Sequence, residues 1–290
     1  MAENSAEKAK EPQKNAAEQP ILEARGLWKE YGDTVVLEKI NAKIRKGEFV
    51  TVIGTSGCGK STFLKLILGT EKATRGKLLF EGKPISAEPD EDRGIVFQRY
   101  SVFPHLTVLE NVMIAREFEK SRFLARVFGS ARREIAEEAK AMIAEVGLAH
   151  AMDRYPSELS GGMQQRLAIA QALMKKPKIL LLDEPFGALD PGIRKDMHNL
   201  IHRLWKQNSL TVFMVTHDLA EGFKLGSRLW VFDKLRVDPE SPNRFGATIT
   251  YDMPLKEGEF DDHGSQVLEA VNSVKKEMTE NVVKLIQNLV

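Results

Sequence analysis

One short stretch constrains the fold of this chain more than any other: Gly54-Thr55-Ser56-Gly57-Cys58-Gly59-Lys60-Ser61-Thr62. It fits the pattern G-x-x-x-x-G-K-[ST], in which backbone N–H groups form an anion nest at a helix N-terminus. The apolar run 48–53 before it predicts a buried strand, and residues 62–68 after it predict a helix. Strand, loop and helix agree, which disfavours a chance glycine-rich turn. The stretch therefore predicts a nucleoside triphosphate ligand, with Lys60 at the terminal phosphates and Ser61 on Mg²⁺.

The composition narrows the class of protein. A hydrophobic content of 42% and a charged content of 29% are typical of a soluble globular protein. A formal net charge of +1 gives no bulk field for nucleic acid or an anionic membrane. The single cysteine excludes an intrachain disulfide and suits a reducing compartment. With no apolar run of membrane-spanning length and no signal-peptide core, the sequence predicts a cytosolic protein.

The first part of the chain predicts a polar tail followed by a hairpin. Residues 1–20 carry almost no large apolar side chain, so we expect them to be disordered. Strands are predicted at 21–24 and 35–37, with Tyr31 directly before the turn residues 32–33. Tyr31 can stack on a base, or it can simply pack beside the turn; the hairpin favours neither.

Two predicted strands end in polar side chains of the kind that occur in active sites. The run 95–97 precedes Gln98, and the run 210–216 precedes His217. Ligands of open α/β sheets collect at the carboxyl ends of strands. Gln98 can ligate Mg²⁺ and orient water, although a solvated loop amide is the ordinary alternative. His217 can bond a γ-phosphate or a catalytic carboxylate, although an isolated histidine is usually structural.

A third strand ends in two carboxylates. The run 178–182 is apolar on both faces, as in a parallel sheet covered by helices. Asp183 at its tip can hold Mg²⁺ through water, and Glu184 can polarise the attacking water. Beside a phosphate loop, this is the expected pair of metal ligand and base.

The segment 107–155 predicts a helical subdomain inserted into the α/β body. Its first half alternates basic and apolar positions. Such a charged face is usually solvated; the alternative is a docking surface near lipid headgroups or a membrane partner. The basic residues are Arg116, Lys120, Arg122, Arg126, Arg132 and Arg133.

A second anion-binding element follows this subdomain. Ser160 is a good N-cap, and residues 164–175 predict a helix. The small Gly161 and Gly162 leave the helix N-terminus accessible to an anion. Because a single domain rarely needs two such elements for one phosphate group, this surplus requires an explanation.

The remaining patterns predict structure more than chemistry. His198 and His202 are four residues apart on a predicted helix, but position 199 is Asn where a zinc protease needs Glu. We therefore expect helix-surface histidines. Strands are predicted at 228–232 and 246–251. After Gly264, apolar residues three and four apart predict an amphipathic helix that packs on its own domain or on a second copy.

Together these motifs resemble those of the ATP-binding subunit of an ABC transporter, over residues 21–232. Gln98, the segment 159–166, Asp183-Glu184, Asp190 and His217 follow the phosphate loop in the order and spacing of that family. Residues 184–190, Glu-Pro-Phe-Gly-Ala-Leu-Asp, together with Leu-Ser-Gly-Gly-Met at 159–163, look most like bacterial importers of the nitrate/sulfonate/taurine type.

The resemblance implies a P-loop NTPase core of the α/β class with an antiparallel β subdomain and an inserted helical subdomain at about 107–160. The ATPase domain would span 21–235, after the tail 1–20 and before a C-terminal extension 236–290. It further implies a head-to-tail homodimer with two ATP molecules, each between one chain's Lys60 and the other chain's signature. The second chain would contribute Ser160, Gly161, Gly162, Gln164 and Asp190 to ATP binding.

The same resemblance implies roles for individual residues. Tyr31 would stack on adenine, Glu184 would be the catalytic base, His217 would contact the γ-phosphate, and Gln98 would sense the nucleotide. The segment 99–107 would receive a coupling helix of a membrane permease. The partners would then be permease subunits and, indirectly, a periplasmic solute-binding protein, with no nucleic acid. The chain would be peripheral, on the cytoplasmic face of the inner membrane, and would energise solute import.

Several positions depart from the family pattern. Thr55 stands where proline is common, Gln165 where a basic residue is frequent, and Gly222 where alanine is usual. The insert 117–130 is longer than in most relatives, which puts docking there in doubt. The residues after His217 are too few for the β-rich regulatory domain of sugar-type importers.

Two other classes of ATPase compete with this interpretation. A soluble ABC ATPase of DNA repair would place a long coiled coil between Lys60 and Ser160, and one of translation would carry two cassettes. A P-loop kinase or G protein lacks the element at 159–166.

Overall fold

Two β-sheets of different construction organise the chain. A computed structural model describes residues 19–86, 88–98, 101–120, 129–236, 238–241 and 243–255. The strands are β1 (Leu22–Tyr31), β2 (Thr34–Ile44), β3 (Phe49–Gly54), β4 (Arg75–Phe80), β5 (Lys83–Pro84), β6 (Arg93–Val96), β7 (Ile179–Asp183), β8 (Thr211–Val215), β9 (Arg228–Asp233) and β10 (Thr248–Pro254). The helices are α1 (Lys60–Leu68), α2 (Val108–Lys120), α3 (Ser130–Glu145), α4 (Gly161–Leu173), α5 (Pro191–Asn208) and α6 (Leu219–Leu225).

The larger sheet brings the predicted strand tips to one edge. Its order is β10-β9-β3-β8-β7-β6. The pairs β9–β3, β3–β8, β8–β7 and β7–β6 are parallel, and β10 pairs antiparallel with β9. The carboxyl ends of β3, β6, β7 and β8 therefore point the same way. The strand predicted at 246–251 begins two residues later and extends to Pro254.

The smaller sheet is antiparallel, in the order β2-β1-β4-β5. The hairpin of β1 and β2 closes at the pair Tyr31↔Thr34, around the turn predicted at 32–33. A bridge between Leu37 and Ala247 joins this sheet to the segment before β10. The predicted α/β fold with an antiparallel β subdomain and an inserted helical part is confirmed.

The two faces of the larger sheet are covered by different elements. Along β7 and β8, Leu181 and Phe213 pack in one hydrophobic cluster with Phe63 of α1 and with the smaller sheet. The intervening residues Leu180 and Val212 face the opposite way, into a second cluster with α2, α3, α4 and α5. Since side chains alternate along a strand, α1 and α4 lie on opposite faces of the sheet.

The predicted helical segment contains α2, α3 and two 3-10 turns, Ala149–Ala151 and Pro156–Glu158. Two of its basic residues bind carboxylates between the helices: Arg116 Nε lies 3.6 Å from Glu138, and Arg132 Nε lies 3.2 Å from Glu117. These ion pairs join α2 to α3.

Several sequence predictions concern residues outside those that the structure describes. They include the disordered tail over 1–18, the basic positions Arg122 and Arg126 in the insert, the first residues of the coupling segment 99–107, and the amphipathic helix after Gly264. Among the described helices, none is long and apolar enough to cross a membrane.

Candidate nucleotide-binding site

The phosphate loop is built on close backbone approach. It connects the end of β3 to Lys60, the first residue of α1. Gly59 has φ 92° at the helix N-cap, and a Cβ there would lie 2.7 Å from Leu37 Cδ2. A Cβ on Gly54 would lie 2.4 Å from the carbonyl oxygen of Phe232. Larger residues at these two positions would push the loop out of this shape.

Lys60 lies inside the loop. Its side chain is buried, and Nζ donates to the carbonyl oxygens of Gly54 at 2.8 Å and Thr55 at 2.9 Å. Thr55 thus serves through its backbone, as expected for a position where relatives carry proline. Cys58 Sγ lies 3.9 Å from Nζ, and burial raises the pKa of the Cys58 thiol. The thiol is therefore protonated at neutral pH.

Ser61 and Asp183 meet between α1 and β7. Ser61 Oγ donates to Asp183 Oδ1 at 3.1 Å. Burial raises the pKa of Asp183, and the hydrogen bond from Ser61 partly offsets this effect. A hydroxyl and a carboxylate oxygen beside an anion nest are the hard donors that Mg²⁺ prefers, so these residues fit the metal that the motif predicts.

Three strand tips converge on Glu184. Its backbone has φ 48°, a conformation uncommon for a residue with a side chain, and its N–H donates to Val215 O at 3.0 Å. Gln98 Nε2 donates to Glu184 Oε2 at 3.3 Å, and His217 Nδ1 lies 3.4 Å from the same oxygen. Strain of this kind persists where the surroundings enforce it, and it is concentrated at functional sites.

A buried polar cluster around Glu221 lies next to the strand tip that carries His217. Glu221 accepts from Thr216 Oγ1 at 2.7 Å, and its other oxygen lies 3.3 Å from His198 Nε2 and 3.7 Å from Arg194 Nε. Burial alone raises the pKa of Glu221, but the bonds from His198 and Thr216 outweigh it and lower the pKa overall.

This cluster corrects one sequence prediction. His198 is not a helix-surface histidine: it is buried between Glu221 and the ring of Phe186, 4.8 Å away. The periodicity of α5 predicts only which side of that helix His198 occupies, and it carries no information about the packing of α6 against that side. His202 does lie on the exposed side of α5, with its ring 5.4 Å from that of Trp205.

Tyr31 stands at the hairpin tip with 44% of its surface exposed. Lys29 Nζ lies 4.5 Å from its ring centroid. The pKa of Tyr31 is raised, first by burial and then by a hydrogen bond to Glu71, while a bond with Thr62 of the phosphate-loop helix acts in the opposite direction. Lys29 and Glu71 could not be predicted as neighbours of Tyr31, because Glu71 lies far from β1 along the chain.

The second anion-binding element is well formed but belongs to another part of the molecule. Ser160 Oγ accepts from Met163 N at 3.4 Å as the N-cap of α4, and Gln164 Nε2 donates to Pro156 O at 2.9 Å. Gly161 is exposed. Gly162 is covered by α5, where an added Cβ would lie 2.6 Å from Ile193 Cγ2.

The structure therefore divides the predicted site residues into two groups. Gln98, Asp183, Glu184 and His217 lie together with the phosphate loop. Ser160, Gly161, Gly162 and Gln164 lie at the start of α4, on the opposite face of the sheet. Asp190 is exposed at the N-cap of α5. Within the described residues, no hydrogen bond or ion pair joins the start of α4 to the phosphate loop.

The structure also shows the surroundings of two residues that depart from the family pattern, Gln165 and Gly222. Gln165 is completely buried in α4, where a basic side chain would bring a charge into the core. Gly222 lets α6 approach the sheet, since an added Cβ would lie 3.2 Å from Leu229 Cδ1 and 3.3 Å from Ile53 Cγ2.

Comparisons with known proteins all match ATP-binding proteins of transport systems. A family model described as ABC transporter matches residues 37–187. The chain is 42% identical over 224 residues to the aliphatic sulfonates import ATP-binding protein SsuB 1 of Paraburkholderia xenovorans, covering 76% of this chain and 60% of that protein. It is 38% identical over 227 residues to the spermidine/putrescine import ATP-binding protein PotA of Mannheimia succiniciproducens, covering 78% of this chain and 58% of that protein.

A solved structure extends the likeness to the fold. The ATP-binding cassette MJ0796, a dimer in a post-hydrolysis state bound to ADP and Pi, superposes with a TM-score of 0.63 at 31% identity. The match covers 81% of this chain and 99% of the cassette. By contrast, the chain spans only about 60% of the length of the two import proteins.

Proposed function

Because the chain belongs to the ABC transporter family, we propose that it is the ATP-hydrolysing subunit of an importer and works as a head-to-tail dimer with two ATP molecules at the interface. One observation carries this proposal: two helix N-termini suited to anions lie on opposite faces of one sheet. One chain cannot close both on the same nucleotide. A second copy, turned head to tail, can place its α4 against the phosphate loop of the first.

Each nucleotide would then have two sets of ligands. The N–H groups of residues 55–59, Lys60 and Thr62 bind the phosphates from one chain, and Tyr31 receives the base. Ser160, Gly161, Gly162 and Gln164 of the second copy close over the γ-phosphate, with Asp190 at the interface. The dimeric cassette bound to ADP and Pi supports this arrangement.

Hydrolysis would follow from the convergence on Glu184. Glu184 accepts the proton of the attacking water, while Gln98 and His217 hold its carboxylate in place through one oxygen, Oε2. Ser61 and Gln98 would hold Mg²⁺ through their side-chain oxygens and Asp183 would hold it through water, and the ion would neutralise charge on the phosphates. We infer that the ATPase domain spans 21–235 and that 236–290 form an extension.

The import direction and the partners rest on the relatives, which are ATP-binding proteins of import systems. We infer that the chain binds permease subunits at the cytoplasmic face of the membrane through the segment 99–107, with a periplasmic solute-binding protein acting indirectly. The sulfonate relative agrees with the nitrate/sulfonate/taurine type, and the spermidine/putrescine relative agrees with a polyamine type. Uptake of taurine and of spermidine by a strain that lacks this chain distinguishes that type from the polyamine type.

The hydrolysis step is tested with Glu184→Gln. We expect the rate of phosphate release to fall by about 10²–10⁴-fold, the usual contribution of a general base, while ATP binding is retained. Glu137→Gln on the exposed side of α3 is the matched control and should hydrolyse at the normal rate. Normal hydrolysis by Glu184→Gln would remove Glu184 from the mechanism.

A further inference from the structure

Tyr31, on which the adenine base is proposed to stack and which is here called the base platform, is itself contacted by a buried cation, Lys29. Lys29 lies two residues earlier on β1, so both side chains project from the same side of the strand. Its ammonium is 4.5 Å from the Tyr31 ring centroid, within the range of a cation–π contact. One face of the ring therefore carries a cation, whereas the side chain as a whole remains 44% exposed.

Lys29 is held from outside its own strand. Nζ donates to Glu71 Oε2 at 2.6 Å and to the carbonyl oxygen of Lys72 at 3.0 Å, and Lys29 is only 8% exposed. The hydrogen bond from Lys29 is the main cause of the lowered pKa of Glu71, and the nearby phenol of Tyr31 lowers it further. Glu71 thus holds the cation of the platform.

The position of Glu71 connects the platform to the phosphate loop. Helix α1 begins at Lys60 and ends at Leu68, and Glu71 follows in the turn after its Gly69 cap. That turn is tied to β1 again by Thr74, whose N–H donates to Trp28 O at 2.9 Å. The base platform and the phosphate loop are therefore fixed to the two ends of one short helix.

We propose that Lys29 and Glu71 are positioning residues that fix Tyr31 as the base platform, so that Lys29 sets the affinity for the adenine base without affecting that for the phosphates. The inference rests on the proposed nucleotide function. A cation behind the ring draws electron density from it and favours stacking of an electron-rich base on the other side. A ring fixed in advance also loses less conformational freedom when the base binds.

The chain offers a matched control on the neighbouring residues. Arg75 lies 3.9 Å from the ring of Trp28 and pairs with Glu30, which repeats the cation, ring and carboxylate arrangement. The carboxylate of this arrangement, Glu30, lies on β1 itself, whereas Glu71 of the platform lies in the turn after α1. Arg75→Met therefore removes the same kind of contact from the same sheet, away from the platform.

The test compares ADP with inorganic pyrophosphate, both measured by titration calorimetry with Mg²⁺ on the full chain. We expect Lys29→Met to weaken ADP binding by about tenfold and to leave pyrophosphate binding within about twofold. Lys29→Arg should retain most of the ADP affinity, and Arg75→Met should change neither ligand. In a Tyr31→Ala background, Lys29→Met should have almost no further effect on ADP, because it acts through the ring.

Three results would overturn the inference: unchanged ADP binding by Lys29→Met, equal losses of ADP and pyrophosphate, or a full tenfold loss in the Tyr31→Ala background. Each leaves the proposed function intact, provided that the wild type binds ADP. A wild type that binds neither ligand would overturn the proposed function and this inference together.

Discussion

The two helix N-termini of this chain are alike in sequence character but differ in their surroundings. At α1, side chains from three neighbouring strand tips lie beside the loop: Ser61 bonds Asp183, and both Gln98 and His217 contact Glu184. At α4, the cap Ser160 bonds only its own helix, and Gly161 is exposed. The first N-terminus is thus surrounded by candidate catalytic side chains of its own chain. The second has an exposed Gly161 and, among the described residues, no such side chains bonded to it, and under the proposed function it would close on a nucleotide held by a second copy.

Helix α5 links these two regions. Ile193 in its first turns packs against Gly162 of α4, while Arg194 and His198 contact the cluster of Glu221 beside His217. Helix α5 therefore contacts both α4 and the buried cluster next to the strand tip that carries His217.

The comparison predicts a large loss of nucleotide binding from a substitution at the first N-terminus and almost none from one at the second, and this is the largest effect on binding that we expect. Lys60→Met removes a buried charged donor from the phosphate loop and should weaken ADP binding by at least about thirtyfold. Ser160→Arg should leave ADP binding by a single chain within about twofold, because α4 does not belong to that chain's own loop. Titration calorimetry measures both. Equal losses would show that both ends serve one nucleotide within one chain.

Alkylation of Cys58 tests whether this buried residue of the phosphate loop lies where the nucleotide binds. Because burial raises the pKa of this thiol above its ordinary value of 9.0, the thiolate is scarce at neutral pH. We expect the alkylation rate to keep rising as the pH passes 9, where an exposed thiol would level off. The adduct should block ADP binding, and ADP should protect the thiol.

Mass spectrometry of iodoacetamide labelling measures this rate on the single cysteine of the chain, with Cys58→Ser as the unlabelled control. Equal labelling with and without ADP would contradict the placement of Cys58 in the phosphate cradle.

The smallest effect concerns the α5 connection. Glu221→Ala leaves His198 and Thr216 without their carboxylate and should lower the free energy of unfolding by about 2–3 kcal/mol. Because the folded pKa of Glu221 lies below its ordinary 4.5, this stabilisation is complete above about pH 4.5. It is lost as the pH falls through the folded pKa.

Urea unfolding at pH 7 and at pH 4 measures the difference, with the exposed Asp196→Ala on α5 as control. A difference between Glu221→Ala and wild type that grows on acidification would have the wrong sign for this account.

The sequence was sufficient for the parts of the site that depend on local pattern. Apolar runs that end in Gln98, Asp183 and His217 identify parallel strands, and parallel strands share an edge, so their convergence could be predicted. The cap at Ser160 could be read in the same way, because capping depends on a few adjacent residues.

What the sequence did not reveal depends on contacts between distant elements. His198 is buried because Glu221 of α6 packs against it, and Lys29 is held against Tyr31 by Glu71, in the turn after α1. The placement of α1 and α4 on opposite faces of the sheet depends on how the crossovers are wound. None of these leaves a periodic or local signal in the sequence.

The central claim is that the phosphate loop is half of a site and that α4 of a second copy completes it. Light scattering after size exclusion tests it directly on Glu184→Gln with ATP and Mg²⁺. We predict a mass about twice the 32.6 kDa of one chain, a return to one chain when Ser160→Arg is added, and no change with the exposed control Ser86→Arg. A Glu184→Gln protein that stays at the mass of one chain with ATP, or a dimer that Ser160→Arg does not disturb, would contradict the claim.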